Sequence, residues 1–181
     1  MKFKIKGKRA SRNDRLMNYL IENIDPACSI IDIGCGPKAY SDPFRLRGNA
    51  VLTLDAWPWV EPDLVVDLEH QRLCDVVSNQ FDYALMIDFI EHLDRQAGLQ
   101  VLEDCKTITR HKIYLLTPLP AIWTDNSEHV DDPTLWSYGN DYDRHKSSWT
   151  RQDFEAWTAV DLPGLENYFF GYHENFNHTG H

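Results

Sequence analysis

No stretch of this 181-residue chain is apolar for the roughly 18–20 residues that a membrane-crossing helix needs, so the sequence predicts no membrane span. There is no C-x-x-C pair. The four cysteines, Cys28, Cys35, Cys74 and Cys105, are scattered, which reads as reduced thiols in a cytoplasmic protein. Met1 to Arg15 is basic and lacks an apolar h-region, which predicts no signal peptide. No internal repeat and no low-complexity tract is present. What is there is ordinary for one globular core: 43% hydrophobic and 25% charged residues. The charge is unevenly placed. Residues 1–15 hold seven basic side chains (Lys2, Lys4, Lys6, Lys8, Arg9, Arg12, Arg15) and one acid, Asp14. The rest carries 11 basic against 27 acidic residues, a net of −16. A body this acidic repels a polyphosphate backbone, which disfavours RNA as a partner, while the basic arm suits an acidic one or is a solvated terminus.

The apolar pattern alternates between two periods. Leu16, Tyr19, Leu20 and Ile24 lie on one helical face, ended by Asp25-Pro26. Apolar runs at 29–33, 51–55, 64–67, 81–88 and 112–117 read as strands, the fourth buried on both faces. Between them, Lys38 to Gly48 has room for a short helix containing Pro43. Residues 71–80 have room for one or two helical turns. Phe89 to Arg110 carries the longest helical stripe, through Ile90, Leu93, Ala97, Val101, Leu102 and Cys105. Residues 118–148 lack periodicity and hold Trp123, Trp136, Tyr138 and Tyr142, which predicts an ordered lid. The aromatics fit a substrate pocket or the lid's own small core. Ser148 or Thr150 can cap a helix to about Thr158. Residues 159–162 and 167–173 then read as a hairpin turning at Pro163-Gly164, before a polar tail. Strands alternating with helices predict a doubly wound parallel α/β sheet, closed by an antiparallel hairpin.

The chemistry gathers at strand ends. Ile30-Ile31-Asp32-Ile33-Gly34-Cys35-Gly36-Pro37 runs a buried strand into a turn where two glycines permit positive φ and close approach of a ligand. Gly34 to Ala39 fits a relaxed G-x-G-x-x-A dinucleotide pattern. However, Asp32 opposes an anion there, and Pro37 and Pro43 spoil the helix that would bind a pyrophosphate. A carboxylate at that place suits a cationic group. Asp32, Asp55, Asp67 and Asp88 each end one of four successive strands. Taken singly, each is also an ordinary turn or cap residue.

Asp32-x-Gly34-Cys35-Gly36 resembles the first motif of class I S-adenosylmethionine-dependent methyltransferases. Asp55, 19 residues after Gly36, Asp67-Leu68, and Phe81-Asp82 leading to Asp88 resemble the motifs that follow. The resemblance implies a Rossmann-like doubly wound, mostly parallel seven-stranded sheet with a C-terminal antiparallel strand. It also implies that S-adenosyl-L-methionine is held by Asp32, Gly34, Cys35, Gly36, Asp55, Ala56, Asp67, Leu68 and Asp88. In that family, acid and glycines take the methionine part, the next acid takes the ribose hydroxyls, and the third contacts adenine. Lys38 stands where the family often has a third glycine.

Asp88-Phe89-Ile90-Glu91-His92 opens the long predicted helix, where the i, i+3, i+4 spacing places all three polar side chains on one face. This piece resembles the Glu-x-x-Glu-His metal motif of small-RNA 2′-O-methyltransferases and of ubiquinone-biosynthesis O-methyltransferases, with Asp88 replacing the first Glu. The segment His145 to Arg151 resembles the RNA group's further ligand segment. The resemblance implies a Mg²⁺ or Mn²⁺ ion on Asp88, Glu91, His92 and His145, or His92 and His145 as catalytic bases. The same acid-x-x-Glu-His start also occurs in methyltransferases without metal, where Glu91 and His92 cap the helix. No Asn-Pro-Pro-Tyr-like segment follows the fourth strand, which counts against amino-methylating enzymes acting on DNA adenine or protein glutamine.

The expected organisation is a basic arm and helix over 1–25, a methyltransferase domain over 26–175 with the lid at 118–148, and a tail over 176–181. The expected function is O-methylation of a small or medium-sized substrate. A dehydrogenase of the NAD type and a catalytically silent cofactor-binding scaffold are the competing readings.

Overall fold

The computed structural model describes residues 10–175. The arm residues Lys2 to Arg9, the 176–181 tail, His178 and His181 lie outside them. Seven strands form one sheet: β1 (Ser29–Ile33), β2 (Ala50–Asp55), β3 (Leu64–Val65), β4 (Phe81–Ile87), β5 (Thr109–Pro118), β6 (Thr158–Ala159) and β7 (Tyr168–Glu174). Their order is β3-β2-β1-β4-β5-β7-β6. β1 to β5 pair in parallel, and β7 runs antiparallel between β5 and β6. The sheet thus carries the predicted architecture, and the strand order reverses between β1 and β4, where a ligand crevice opens.

The period-2 rule divides β4 between two cores. Tyr83, Leu85 and Ile87 pack with Leu16 and Leu20 of α1 (Arg12–Asn23), with Ile24 just past its end, and with Phe44 of α2 (Ser41–Arg47). Ala84 and Met86 pack on the other face with Val101, Leu102 and Cys105 of α4 (Arg95–Ile108) and with fully buried Trp149. Pro43 is tolerated in α2 because it sits in the first turn, where its missing N–H has no helical partner to lose. Among the described residues no helix is long and apolar enough to cross a membrane.

The sequence pattern misplaces several boundaries. The helix expected from Phe89 breaks into a 3₁₀ turn at Ile90–His92 and an α-helix that starts only at Arg95. Two residues cause this. Asp88 sits at φ +50°, outside the helical well. The Asp94 carboxylate accepts the Ala97 N–H at 2.8 Å, which makes it the N-cap of α4 and not an interior residue. Asp88, Glu91 and His92 therefore do not share one helical face. Asp94→Ala is expected to cost about 1 kcal/mol and lower the melting temperature by about 2–4 °C in a thermal denaturation scan.

Strand β3 is only Leu64–Val65, so Asp67 lies past its end in a turn. The expected helix to Thr158 is only a 3₁₀ turn, Arg151–Phe154. The first arm of the hairpin is Thr158–Ala159 rather than 159–162. A single turn of helix, α3 (Leu73–Val76), fills the 71–80 connector.

The 118–148 segment is ordered by its own bonds. It contains α5 (Ser127–Asp131). Asn126 donates to the Asp143 carbonyl, and its Oδ1 accepts from the His145 N–H at 2.7 Å. At its end, the Lys146 and Ser147 N–H groups both donate to the Glu91 carbonyl at 2.8 and 3.1 Å. That ties the lid to the segment following β4.

Candidate active site

A cavity of about 290 Å³ opens at the carboxyl ends of β1, β2 and β4. Its floor is the glycine turn. A Cβ on Gly34 would fall 2.1 Å from Phe89 Cδ2, and Gly34 lies at φ +72°, so glycine is required there on both counts. The Gly34 and Cys35 N–H groups both donate to the Leu54 carbonyl, at 2.9 and 3.0 Å. They are therefore not free to cradle a phosphate, which agrees with the charge argument from Asp32. Burial pushes the Cys35 thiol up to about 12, so it is no nucleophile at neutral pH.

The predicted cofactor acids separate into distinct environments. Asp32 is 2% exposed, accepts from Ser41 Oγ, and is pushed up to about 6 by burial. Asp55 holds the turn: Oδ2 accepts the Gly36 N–H at 2.9 Å and Oδ1 the Trp57 N–H at 2.8 Å. Each oxygen keeps a lone pair for a ligand hydroxyl. Asp67 accepts the Glu69 N–H at 3.0 Å and lies 3.0 Å from His70 Nδ1. Ala56, Val66 and Leu68 complete an apolar wall. Half-buried carboxylates with free lone pairs, an apolar wall and a turn whose amides are already bonded suit a zwitterionic nucleoside. The residues present fit S-adenosylmethionine.

The second half of the site differs more from the sequence reading. Glu91, His92 and His145 offer ligand atoms that all lie within 4.8 Å of one another, a grouping found among the described residues. The two imidazole centroids are 4.9 Å apart. Glu91 is buried, accepts from Thr117 Oγ1 at 2.9 Å, and has its carboxyl raised well above the ordinary range by burial and then by Asp88. Burial, and then His145, depresses His92 to about 4; burial also lowers His145. Both rings are therefore neutral at physiological pH. Asp88 acts on this group electrostatically, raising Glu91, but is not among the grouped ligand atoms. Arg12, at the start of α1, meets it through both guanidinium nitrogens at 2.5 and 3.3 Å and stacks 4.8 Å from the Tyr168 ring centre.

Among the lining residues that the sequence did not assign to the site are Arg12, Tyr40, Asp143 and Lys146. Arg12 is 76 positions from Asp88, and no local pattern signals such a pair. Asp143 precedes the noticed His145 by two residues, the one available hint. Of the lid aromatics, Trp136 and Tyr142 line the cavity, with Trp136 3.6 Å from where a Gly36 Cβ would stand. Trp123 packs near His145 and Tyr138 is exposed.

The strand order, the glycine turn and the acids of the crevice define a nucleoside-cofactor α/β enzyme of the Rossmann-like kind. A family model described as a methyltransferase domain matches residues 5–160. The chain belongs to that methyltransferase family, whose fold and cofactor are those of the class I S-adenosylmethionine-dependent enzymes. No curated protein matches the sequence closely. Solved structures share the fold at low identity. A S-adenosylmethionine-dependent methyltransferase from Archaeoglobus fulgidus is 12% identical at a TM-score of 0.62, over 90% of this chain and 94% of that one. Magnesium protoporphyrin IX methyltransferase from Synechocystis PCC 6803, with bound S-adenosylhomocysteine, is 12% identical at 0.59, over 90% and 81%. A protein assigned to the Zn-dependent alcohol dehydrogenases, from Rhodobacter sphaeroides, is 13% identical at 0.67, over 92% and 90%. At such identities the likeness speaks for the fold alone.

Proposed function

We propose that this methyltransferase transfers the methyl group of S-adenosylmethionine to a hydroxyl of a small or medium-sized acceptor. The observation that carries the reading is the trio Glu91, His92 and His145, packed within 4.8 Å, with His92 lining the cofactor cavity. Two neutral imidazoles suit removal of a hydroxyl proton. The acceptor oxygen attacks the methyl carbon in line, the carbon–sulfur bond breaks, and the sulfonium leaves as a neutral thioether. Where the trio holds no metal, His92 or His145 is the group that takes the hydroxyl proton. Asp32, Asp55, Asp67 and the glycine turn hold the cofactor.

Glu91, His92 and His145 also fit a divalent cation. His145 Nδ1 donates to the Thr124 carbonyl at 2.8 Å, leaving Nε2 with its lone pair outward, the tautomer a ligand histidine adopts. A cation bound there would lower the pKa of a coordinated hydroxyl and orient it. Two imidazoles and one carboxylate suit Mn²⁺ or another borderline metal better than Mg²⁺. The acidic body and the acids at the cavity favour a small acceptor over RNA.

Cofactor choice is the direct test. S-adenosylhomocysteine at a hundred times its Kd is expected to add about 2.7 kcal/mol of stability and raise the melting temperature, whereas NAD leaves it unchanged. Protection by NAD alone would move the protein to the dehydrogenases. Methyl transfer from labelled cofactor to a panel of hydroxyl and amine acceptors reads the accepting atom. Cofactor binding with no turnover on any acceptor would mark a silent scaffold.

A further inference from the structure

The four-ligand pattern implied by the sequence does not survive as one cluster, and the reason lies in Arg12. Its guanidinium binds both oxygens of Asp88 and is itself held over Tyr168. Asp88 also sits at φ +50°, the backbone geometry that turns the chain out of β4. A different carboxylate stands beside the imidazoles. Asp143 Oδ1, from the lid, is 3.9 Å from His92 Nε2. The other nitrogen, Nδ1, is buried and has no hydrogen-bond partner among the described residues. An orphaned imidazole nitrogen inside a protein needs a ligand or carries a desolvation cost.

His145 shows the complementary arrangement. Its Nδ1 is engaged by the Thr124 carbonyl at 2.8 Å, and its Nε2 is the atom left to bind. In His145 the Nδ1 nitrogen is thus taken by a backbone carbonyl, whereas in His92 it is Nδ1 that has no hydrogen-bond partner among the described residues. Outer oxygens of this kind fix the tautomer and raise ligand basicity.

Resting on the metal reading above, we propose that Asp143 is the positioning carboxylate of this site. It faces His92 Nε2 so that Nδ1 points to the ion, while Asp88 belongs to Arg12 and lies outside the ligand set. The ligands are then a Glu91 oxygen, His92 Nδ1 and His145 Nε2. At 3.9 Å the Asp143 carboxylate lies beside the neutral His92 ring, short of a hydrogen bond. A cation held at Nδ1 would make Nε2–H a stronger donor toward the Asp143 carboxylate. The inference reverses what the motif at 88–92 suggests: the carboxylate that matters beside Glu91 comes from 55 residues downstream of Asp88, from the segment that covers the site.

Calorimetric titration of the full chain with Mn²⁺ alone separates the two carboxylates. Asp143→Asn is expected to weaken binding about 10–100-fold, in the range seen for lost outer partners of ligand histidines. Asp88→Asn is expected to leave it within about twofold, as for a residue outside the site. A ¹⁵N spectrum of the imidazoles, which needs no variant, reads the atoms. In the unsubstituted protein Nδ1 of His92 is expected to be the unprotonated nitrogen and the one that shifts with Zn²⁺. Loss of affinity in Asp88→Asn equal to or greater than that in Asp143→Asn, or a shift at Nε2 of His92, overturns the assignment and leaves the metal reading standing. If the unsubstituted protein and His92→Ala both fail to bind Mn²⁺ and Zn²⁺, the metal reading itself falls, and this inference with it.

Discussion

With Asp55 in its proposed cofactor-binding role, Asp55→Ala is expected to lower the affinity for S-adenosylhomocysteine about a hundredfold, equivalent to about 2.7 kcal/mol, in a calorimetric titration. Two losses add up. The ribose hydroxyls lose a charged acceptor, and hydrogen bonds to charged groups are worth about 1.5–3 kcal/mol each. The Gly36 and Trp57 N–H groups, which the same carboxylate holds at 2.9 and 2.8 Å, lose their partner too. The glycine turn and the Trp57 loop then reorder only when the cofactor binds, which takes further affinity. Asp55→Asn keeps an acceptor oxygen for one of the two amides and places an NH₂ against the other, so its affinity should fall between. An Asp55→Ala protein that binds within threefold of the parent would remove Asp55 from the cofactor site.

Gly34→Ala has the larger effect on the fold. The added methyl would lie 2.1 Å from Phe89 Cδ2 and 2.7 Å from Cγ, so the ring must leave its place. The residue must also hold φ +72°, which costs a non-glycine residue about 1–3 kcal/mol. Repacking Phe89, which is wedged between the turn and the Asp88 corner, adds about 1–3 kcal/mol as overpacking. The sum is about 2–6 kcal/mol, or a melting temperature lower by roughly 4–24 °C for a chain of this size. Gly139→Ala is the matched control. Gly139 sits at φ +74° with nothing within 4 Å of an added Cβ, so it reports the backbone cost alone. Equal melting temperatures for the two variants would show that Phe89 yields freely and that close packing at the turn is unimportant.

Much of the sheet was legible because its signals are local. The run from Ile30 to Ile33, the near-continuous run in β4 and the prolines after Leu116 report burial within a few residues. Gly34 and Gly36 announce a turn that needs positive φ, and both have it. Boundaries failed where a side chain competed with the apolar period. Asp94 falls inside a convincing helical stripe, yet its carboxylate caps the helix instead, and three residues expected on one face were redistributed. The short β3 left Asp67 in a turn, a difference of two residues that periodicity does not resolve.

The sequence by itself determined the parallel sheet, the glycine turn and the kind of cofactor that the acids at its edge would accept. Those follow from short continuous apolar runs, from residues without a Cβ and from charge beside a turn. Only the tertiary structure decided which partner each of those acids has. Asp88 is claimed by Arg12 across 76 positions, and Asp143 is brought beside His92 by a lid whose course has no period. Whether a carboxylate serves a cofactor, an arginine or a histidine depends on desolvation and on the nearest opposite charge. Both quantities are set by residues far away in the chain, so no window of sequence contains them.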